Sequence, residues 1–239
     1  MRLLLTGSNG FIGKYFINNY QNKHNIKTFS FLNDDINNLE MANAEVVFHL
    51  SALVHQMGGA TKEEYEKVNV TQTLDLAKKV KASGVKHFIF MSTVKVYGEE
   101  TDISYTENSV CNPQDEYGKS KLQAEQELQK LEDDNFKVSI IRTPIVYGYD
   151  VKANIKSLIN LIKKVPVLPF GKIENRRSMV FIGNLCHLID EIIIQEKAGI
   201  FLASDDEPLS TSRLIELIAN GLDKKVYLIK IPFFESLLK

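Results

Sequence analysis

One short segment limits what this chain can fold into more than any other. Leu3-Leu4-Leu5 is an apolar run of strand size, and it enters Thr6-Gly7-Ser8-Asn9-Gly10-Phe11-Ile12-Gly13 directly. Phe16, Ile17 and Tyr20 then recur at helical spacing. Three glycines at a strand–turn–helix junction meet three separate needs: a tight turn, close approach of a pyrophosphate to the backbone, and close packing of the helix on the sheet. The helix N-terminus adds unpaired N–H groups and the positive end of its dipole. The spacing is G-x-x-G-x-x-G rather than the commoner G-x-G-x-x-G, and a glycine-rich turn without a ligand is the alternative. Its position at the first strand–helix junction favours a dinucleotide held by Gly7, Asn9, Gly10, Phe11, Ile12 and Gly13.

The rest of the chain repeats the alternation. Ile26–Phe31, Val46–Leu50, Phe88–Met91 and Val138–Ile141 read as strands, continuous in apolar character as parallel strands covered on both faces are. Between them Val70, Leu74 and Ala77, and later Ala124, Leu128 and Leu131, fall at helical spacing. The pattern predicts an α/β fold, a Rossmann-type doubly wound parallel sheet. Four runs end in small polar residues, Thr6, Ser51, Ser92 with Thr93, and Thr143, which would line a cleft at the carboxyl ends of the strands.

After about residue 150 the character changes. Val165–Gly171 carries two prolines and a glycine and reads as irregular or edge structure. Helical patterns resume over 183–195 and 210–220, the second stopped by Gly221 at a C′ position. The expected division is therefore 1–150 as the dinucleotide-binding domain and 151–239 as a smaller, mixed substrate lobe that closes over the cleft. The chain ends at Lys239 soon after Ile231-Pro232-Phe233-Phe234, with no closing strand or helix pattern, so this lobe reads as short: truncated, or compact.

Composition excludes other classes. Of 239 residues, 44% are hydrophobic and 25% charged, and the formal net charge is −1. That is enough to build a core and leaves no bulk attraction to nucleic acid or an anionic membrane. Cys111 and Cys186 stand apart, and no Cys/His spacing matches a zinc site, so no metal is expected. The apolar start is too short for a signal peptide, and no run reaches the length of a membrane span. The expectation is a cytoplasmic protein with reduced thiols.

An acidic residue about 20 positions beyond the glycine loop would bind the adenosine ribose and select NAD. At the end of the second run stands Ser30, with no following Arg or Lys. Asp34 and Asp35 come slightly later, and Asp35-Ile36 could approach the adenine. Without a basic partner for a 2′-phosphate, the residues favour NAD and leave NADP open.

Tyr117-Gly118-Lys119-Ser120-Lys121 puts a tyrosine and a lysine at i, i+4 on one helix face, in line with Ala124 and Leu128. A packed tyrosine and a snorkelling lysine would explain that pair alone. Met91-Ser92-Thr93-Val94-Lys95-Val96-Tyr97-Gly98, ending another strand, adds a hydroxyl donor, and the three groups beside a dinucleotide make a proton relay for carbinol–carbonyl chemistry.

With these motifs the chain resembles the extended short-chain dehydrogenase/reductase family, the NAD-dependent nucleotide-sugar epimerases, dehydratases and reductases. The matches are TGSNGFIG, FHLSA at 48–52, Asn69 in VNVTQT, MSTVKVYG, YGKSK and RTPIVYG at 142–148, in family order over nearly the whole chain. The resemblance implies that Tyr117 is the general acid/base, that Lys121 favours its phenolate and holds the nicotinamide ribose, and that Thr93 hydrogen-bonds the reacting oxygen, with Ser92 the neighbouring candidate. It implies that Leu50, Ser51, Ala52 and Thr143 border the dinucleotide. Arg177 would grip the nucleotide diphosphate, Asn154 would reach diphosphate or sugar, and His55 the sugar. A solvated arginine and an exposed histidine are the plainer readings of Arg177 and His55.

Departures narrow the resemblance. Ile145 stands where galactose epimerases carry asparagine, and Asn184 where many relatives carry aspartate. Val94-Lys95 replaces the acidic pair expected of a dehydratase. SALVHQM, STVKVYG, VKAN and NRRSMVFIGN are similar to bacterial polysaccharide-pathway members, 4-keto reductases and epimerases of UDP-linked amino sugars among them. The expected function is an NAD(P)-dependent epimerase or 4-keto reductase on a nucleotide-activated, UDP-type sugar, and the resemblance also implies a homodimer. The alternative is a non-catalytic dinucleotide-binding regulator or scaffold that has kept the fold.

Overall fold

The computed structural model describes residues 1–41, 43–54, 60–101 and 103–231. The chain divides into two compact units, Met1–Pro144 with Ile182–Ala203, and Ile145–Phe181 with Ser204–Lys239.

The first unit begins with β1 (Arg2–Thr6), α1 (Phe11–Tyr20), β2 (Asn25–Phe29) and β3 (Val46–His49). A single helical stretch follows: α2 (Lys62–Tyr65), a π-helical turn (Glu66–Thr71) and α3 (Gln72–Ala82). Then come β4 (His87–Thr93), α4 (Glu116–Gln129) and β5 (Lys137–Thr143). The second unit holds β6 (Ile145–Tyr147), α5 (Ala153–Lys164), β7 (Val167–Leu168) and β8 (Met179–Phe181). The chain returns to the first unit with α6 (Ile182–Gln195) and β9 (Gly199–Leu202), and finishes in the second with α7 (Thr211–Gly221) and β10 (Tyr227–Leu228).

Six strands make one parallel sheet in the order β2-β1-β3-β4-β5-β9. The doubly wound parallel sheet predicted from the sequence is present, and its order reverses between β1 and β3. On one face α3 and α4 bury Leu76, Ala77, Val80, Ala124 and Leu128 against Leu4, Val47, Phe88, Phe90, Val138 and Ile140. Alternation along each strand sends the intervening residues to the other face, where Phe16 of α1 meets Phe48 edge-on at 5.4 Å. α6 is fastened to the end of α1 by Asp190, which accepts from Lys23 and pairs with His24 at 2.7 Å. Each fully buried phenylalanine contributes about 1.5–3 kcal/mol.

Three sequence expectations change. The boundary at 150 is too simple: β9 supplies the sixth strand, so 182–203 belongs to the sheet unit. β2 is an edge strand and mostly exposed rather than covered on both faces. Gly221 ends α7 from inside the helix, and the left-handed residue that closes it is Asp223 (φ 52°), followed by a bond from the Lys224 N–H to the Ala219 carbonyl.

In the second unit β6 pairs with β8 and β7 with β10, both parallel. Val165–Gly171, read as irregular or edge structure, holds the two-residue strand β7. A small core gathers Ile162, Leu168, Ile215 and Ala219 from α5, β7 and α7.

Candidate active site

At the β1–α1 junction Gly7 has φ +71°, and a Cβ there would lie 2.8 Å from the Ser51 nitrogen. A Cβ on Gly13 would collide with the Gly7 carbonyl oxygen and come within 2.9 Å of the Ser8 Cα. These two positions require glycine, and the first turn of α1 packs against the loop as a result. Gly10 is the N-cap and offers no side-chain cap, and the first turn carries no acidic residue. The leading N–H groups of α1 therefore meet no capping side chain or local negative charge, which suits an anionic phosphate. Asn9 and Gly10 are exposed, Phe11 and Ile12 half-buried. Leu50, Ser51 and Ala52, all half-buried, run beside Gly7 just past β3.

Thr6 does not line a cleft, contrary to the sequence expectation. It is fully buried, bonded to His49 Nδ1 at 2.7 Å, and its hydroxyl accepts from the Ser51 N–H at 3.2 Å. His49 reaches Thr73 of α3 through Nε2 at 3.0 Å. Burial, with the charge of Lys121, pushes this imidazole down to about 3, so it is neutral. Reading 46–50 as an apolar run hid this relay, because a histidine with both nitrogens satisfied packs as a core residue.

α4 starts at Asp115, whose carboxylate accepts from the Gly118 N–H at 2.7 Å. Gly118 lets the helix start sit against the turn after β4, since a Cβ there would lie 2.8 Å from the Lys95 carbonyl. Tyr117 is thereby brought to the end of β4, where its hydroxyl faces Thr93. Burial and the Asp115 charge push the Tyr117 phenol up to about 12, with the nearby Thr93 hydroxyl acting the other way. Lys121, buried one turn later, puts its ammonium 3.9 Å from the centre of the Phe90 ring. Burial pulls it down to about 7, against the opposing charge of Glu125.

The VNVTQT motif marks Asn69 without giving it a role. Asn69 sits in the π-helical turn, where such irregularities often serve function. Its amide clasps the Leu53 backbone in both directions, at 2.8 and 3.0 Å, and donates to Ser120 Oγ at 3.0 Å. Ser120 in turn donates to the Tyr117 carbonyl at 2.8 Å.

Other expected residues are spread over both units. The Asp35 carboxylate caps a short 3₁₀ turn by accepting from Asn37 N at 2.9 Å, and the Ile36 side chain packs on the sheet core. The Thr143 hydroxyl donates to the Ser92 carbonyl, and Ser92 donates to Glu125, so both are occupied within the fold. Asn154, in the first turn of α5, and Arg177, whose backbone pairs with Leu209, are exposed residues of the second unit. His55 lies outside the described residues. Among the described residues, no helix is long and apolar enough to cross a membrane.

The model of the NAD dependent epimerase/dehydratase family matches residues 3–201. The chain belongs to that family. It is an enzyme family. The chain is similar to a UDP-glucose 4-epimerase of Vibrio cholerae, 37% identical over 259 aligned positions that take in 97% of this chain and 79% of the relative. An N-acetyl-α-D-glucosaminyl-diphospho-ditrans,octacis-undecaprenol 4-epimerase of Escherichia coli O157:H7 is 26% identical over 97% of this chain and 75% of its own length. Among solved structures, UDP-glucuronic acid 4-epimerase from Bacillus cereus in complex with NAD superposes with a TM-score of 0.82 at 21% identity, covering 97% of this chain and 87% of that one. A dTDP-4-dehydrorhamnose reductase from Bacillus anthracis in complex with NADP reaches 0.84, also at 21% identity, over 96% and 83%. These structural matches establish that the family's fold is shared.

Proposed function

We propose that this family member is an NAD(P)-dependent epimerase or 4-keto reductase of a nucleotide-activated, UDP-type sugar. The observation that carries the proposal is the approach of Tyr117 to Thr93 at the end of β4, with Lys121 one turn behind, in the same unit as a glycine cradle fitted to a pyrophosphate. Gly7, Asn9, Gly10, Phe11, Ile12 and Gly13 hold the dinucleotide phosphates, and Leu50–Ala52 flank it. The nicotinamide, when bound, supplies or accepts the hydride. Tyr117 Oη delivers a proton to the sugar oxygen as a carbonyl is reduced, or removes it as a carbinol is oxidised. Thr93 Oγ hydrogen-bonds the same oxygen.

A phenol raised toward 12 is stored as an acid, and a cation beside it stabilises the phenolate that forms in the base direction. Lys121 is that cation. Dehydration would need a further acid after Thr93. Lys95 stands there instead, tied to Asp115 at 2.6 Å and Glu99 at 2.8 Å.

Arg177 suits a diphosphate because a guanidinium matches two phosphate oxygens at once. Asn154 and His55 complete the substrate set. NAD is the favoured dinucleotide, since no Arg or Lys follows Ser30 to meet a 2′-phosphate. The reading extends to a cytoplasmic homodimer packed through α3 and α4, which sedimentation would detect. Incubation with candidate UDP-sugars while following NAD(P)H absorbance tests the whole. Stoichiometric consumption marks a reductase, and product without net consumption marks an epimerase. Dinucleotide binding with no turnover of any nucleotide sugar would instead favour a regulator.

A further inference from the structure

Behind the Tyr117–Lys121 pair lies a charged cluster that the chemistry above does not use. Glu125 follows Lys121 by one helical turn on α4 and is 1% exposed. Arg142 of β5 donates to it from Nη2 at 2.6 Å and from Nε to both carboxylate oxygens at 3.2 Å, and Ser92 of β4 donates from its hydroxyl. Arg142 also donates to the Tyr97 hydroxyl at 2.8 Å and lies 4.8 Å from the centre of that ring. Ser92 and Arg142 are register partners, and so are the next residues, Thr93 and Thr143. The cluster thus sits one residue behind two strand ends of the site and one turn behind its lysine.

A buried ion pair rarely repays its desolvation, and apolar residues of equal volume would hold this core as well. Lys121 supplies a reason to keep it. Its ammonium is buried over an aromatic ring, and burial disfavours its charge. The charged and titratable groups around it are Tyr117 and Glu125 on α4 and neutral His49 from β3. Around Glu125 are Arg142 from β5, and Tyr97 and Cys111 from the segment between β4 and α4. Glu125 is the one anion in that set.

We propose that Glu125 is a positioning residue for the Tyr117–Lys121 pair: clamped by Arg142 and Ser92, its carboxylate holds Lys121 as an ammonium one turn away and pins α4 to the ends of β4 and β5. The inference rests on the catalytic reading of Tyr117 and Lys121, but its test does not depend on turnover. The full chain carries ¹³C,¹⁵N-labelled lysine, and the Lys121 side-chain resonance is followed by NMR across a pH series. In Glu125→Gln the pH at which Lys121 loses its proton should fall by about one unit, a tenfold loss of proton affinity, and Glu125→Asp should restore most of it. The alkaline limb of the kcat profile should move down with it, while KM for the sugar stays put. Should Glu125→Gln fail to fold, the pair Glu125→Met with Arg142→Met, which strands neither charge, is expected to show a smaller fall in the same direction, because the guanidinium's repulsion of Lys121 goes with the carboxylate's attraction. A folded variant of either kind in which Lys121 titrates as in the parent overturns the proposal. If no nucleotide sugar is turned over, the titration still decides the charge link, and only the catalytic reading fails.

Discussion

The two units of this molecule bury different things. Among the described residues, every buried polar or charged side chain belongs to the sheet unit, including the Thr6–His49–Thr73 relay, Asn69 with Ser120, the Ser92–Glu125–Arg142 cluster, Lys121, His87 with Ser139, and the His24–Asp190 pair. The second unit buries apolar side chains such as Ile162, Leu168, Met179 and Ile215 and keeps its polar groups half-buried or exposed. An apolar core asks only for volume and tolerates repacking. A buried hydrogen-bonded network demands one geometry and penalises any loss of a partner. The polar interior is therefore placed where atoms must be held to a fraction of an ångström.

Four experiments bear on that contrast. The largest effect is expected at the chemistry itself. Tyr117→Phe should reduce turnover by about 10²- to 10⁴-fold and leave dinucleotide binding intact in a fluorescence titration. Equal turnover in the variant would remove Tyr117 from the reaction. Next comes Arg142→Met, which strands Glu125 in the core and should cost about 3–5 kcal/mol in urea unfolding. A cost under about 1 kcal/mol would mean that water reaches the cluster and that the contrast is overstated.

The third experiment uses pH. Burial pushes His49 down to about 3 and His87 down to about 4, both from 6.5. Above pH 6.5 neither state binds the proton. Below it the unfolded chain does and the fold resists, so stability is lost as pH falls from 6.5 toward those values. At pH 5 each imidazole should cost about 2 kcal/mol relative to pH 7. A flat stability profile between pH 7 and pH 5 would contradict the burial of these rings. The smallest effect should come from the second unit. Tyr147 donates to Asp205 at 2.9 Å from a half-buried position, and Tyr147→Phe should cost about 1 kcal/mol or less. A loss as large as that of Arg142→Met would erase the distinction between the units.

Much of the sheet unit was legible residue by residue. The run Leu3–Leu5 followed by Gly7, Gly10 and Gly13 specifies a strand, a turn and a helix, because the turn chemistry and the helical period are local properties. Tyr117 and Lys121 at i, i+4 were equally plain. What escaped is what depends on partners far along the chain. Glu125 looks like one more helix glutamate until Arg142 and Ser92 are brought to it. Asp35, read as approaching the adenine, gives no local sign that its carboxylate also accepts from the Asn37 N–H. Ile182–Leu202 reads as part of a second lobe because no local signal says that β9 will pair with β5.

The sequence by itself determined the strand–helix alternation, the positions where only glycine fits and the residues able to move a proton, since each follows from backbone sterics, side-chain period and functional-group chemistry. Only the tertiary structure decided the state of those groups. Burial, an aromatic face under Lys121, the Thr93 hydroxyl facing Tyr117 and one anion held by an arginine from another strand set their charges, and such fields depend on distances that no linear spacing contains.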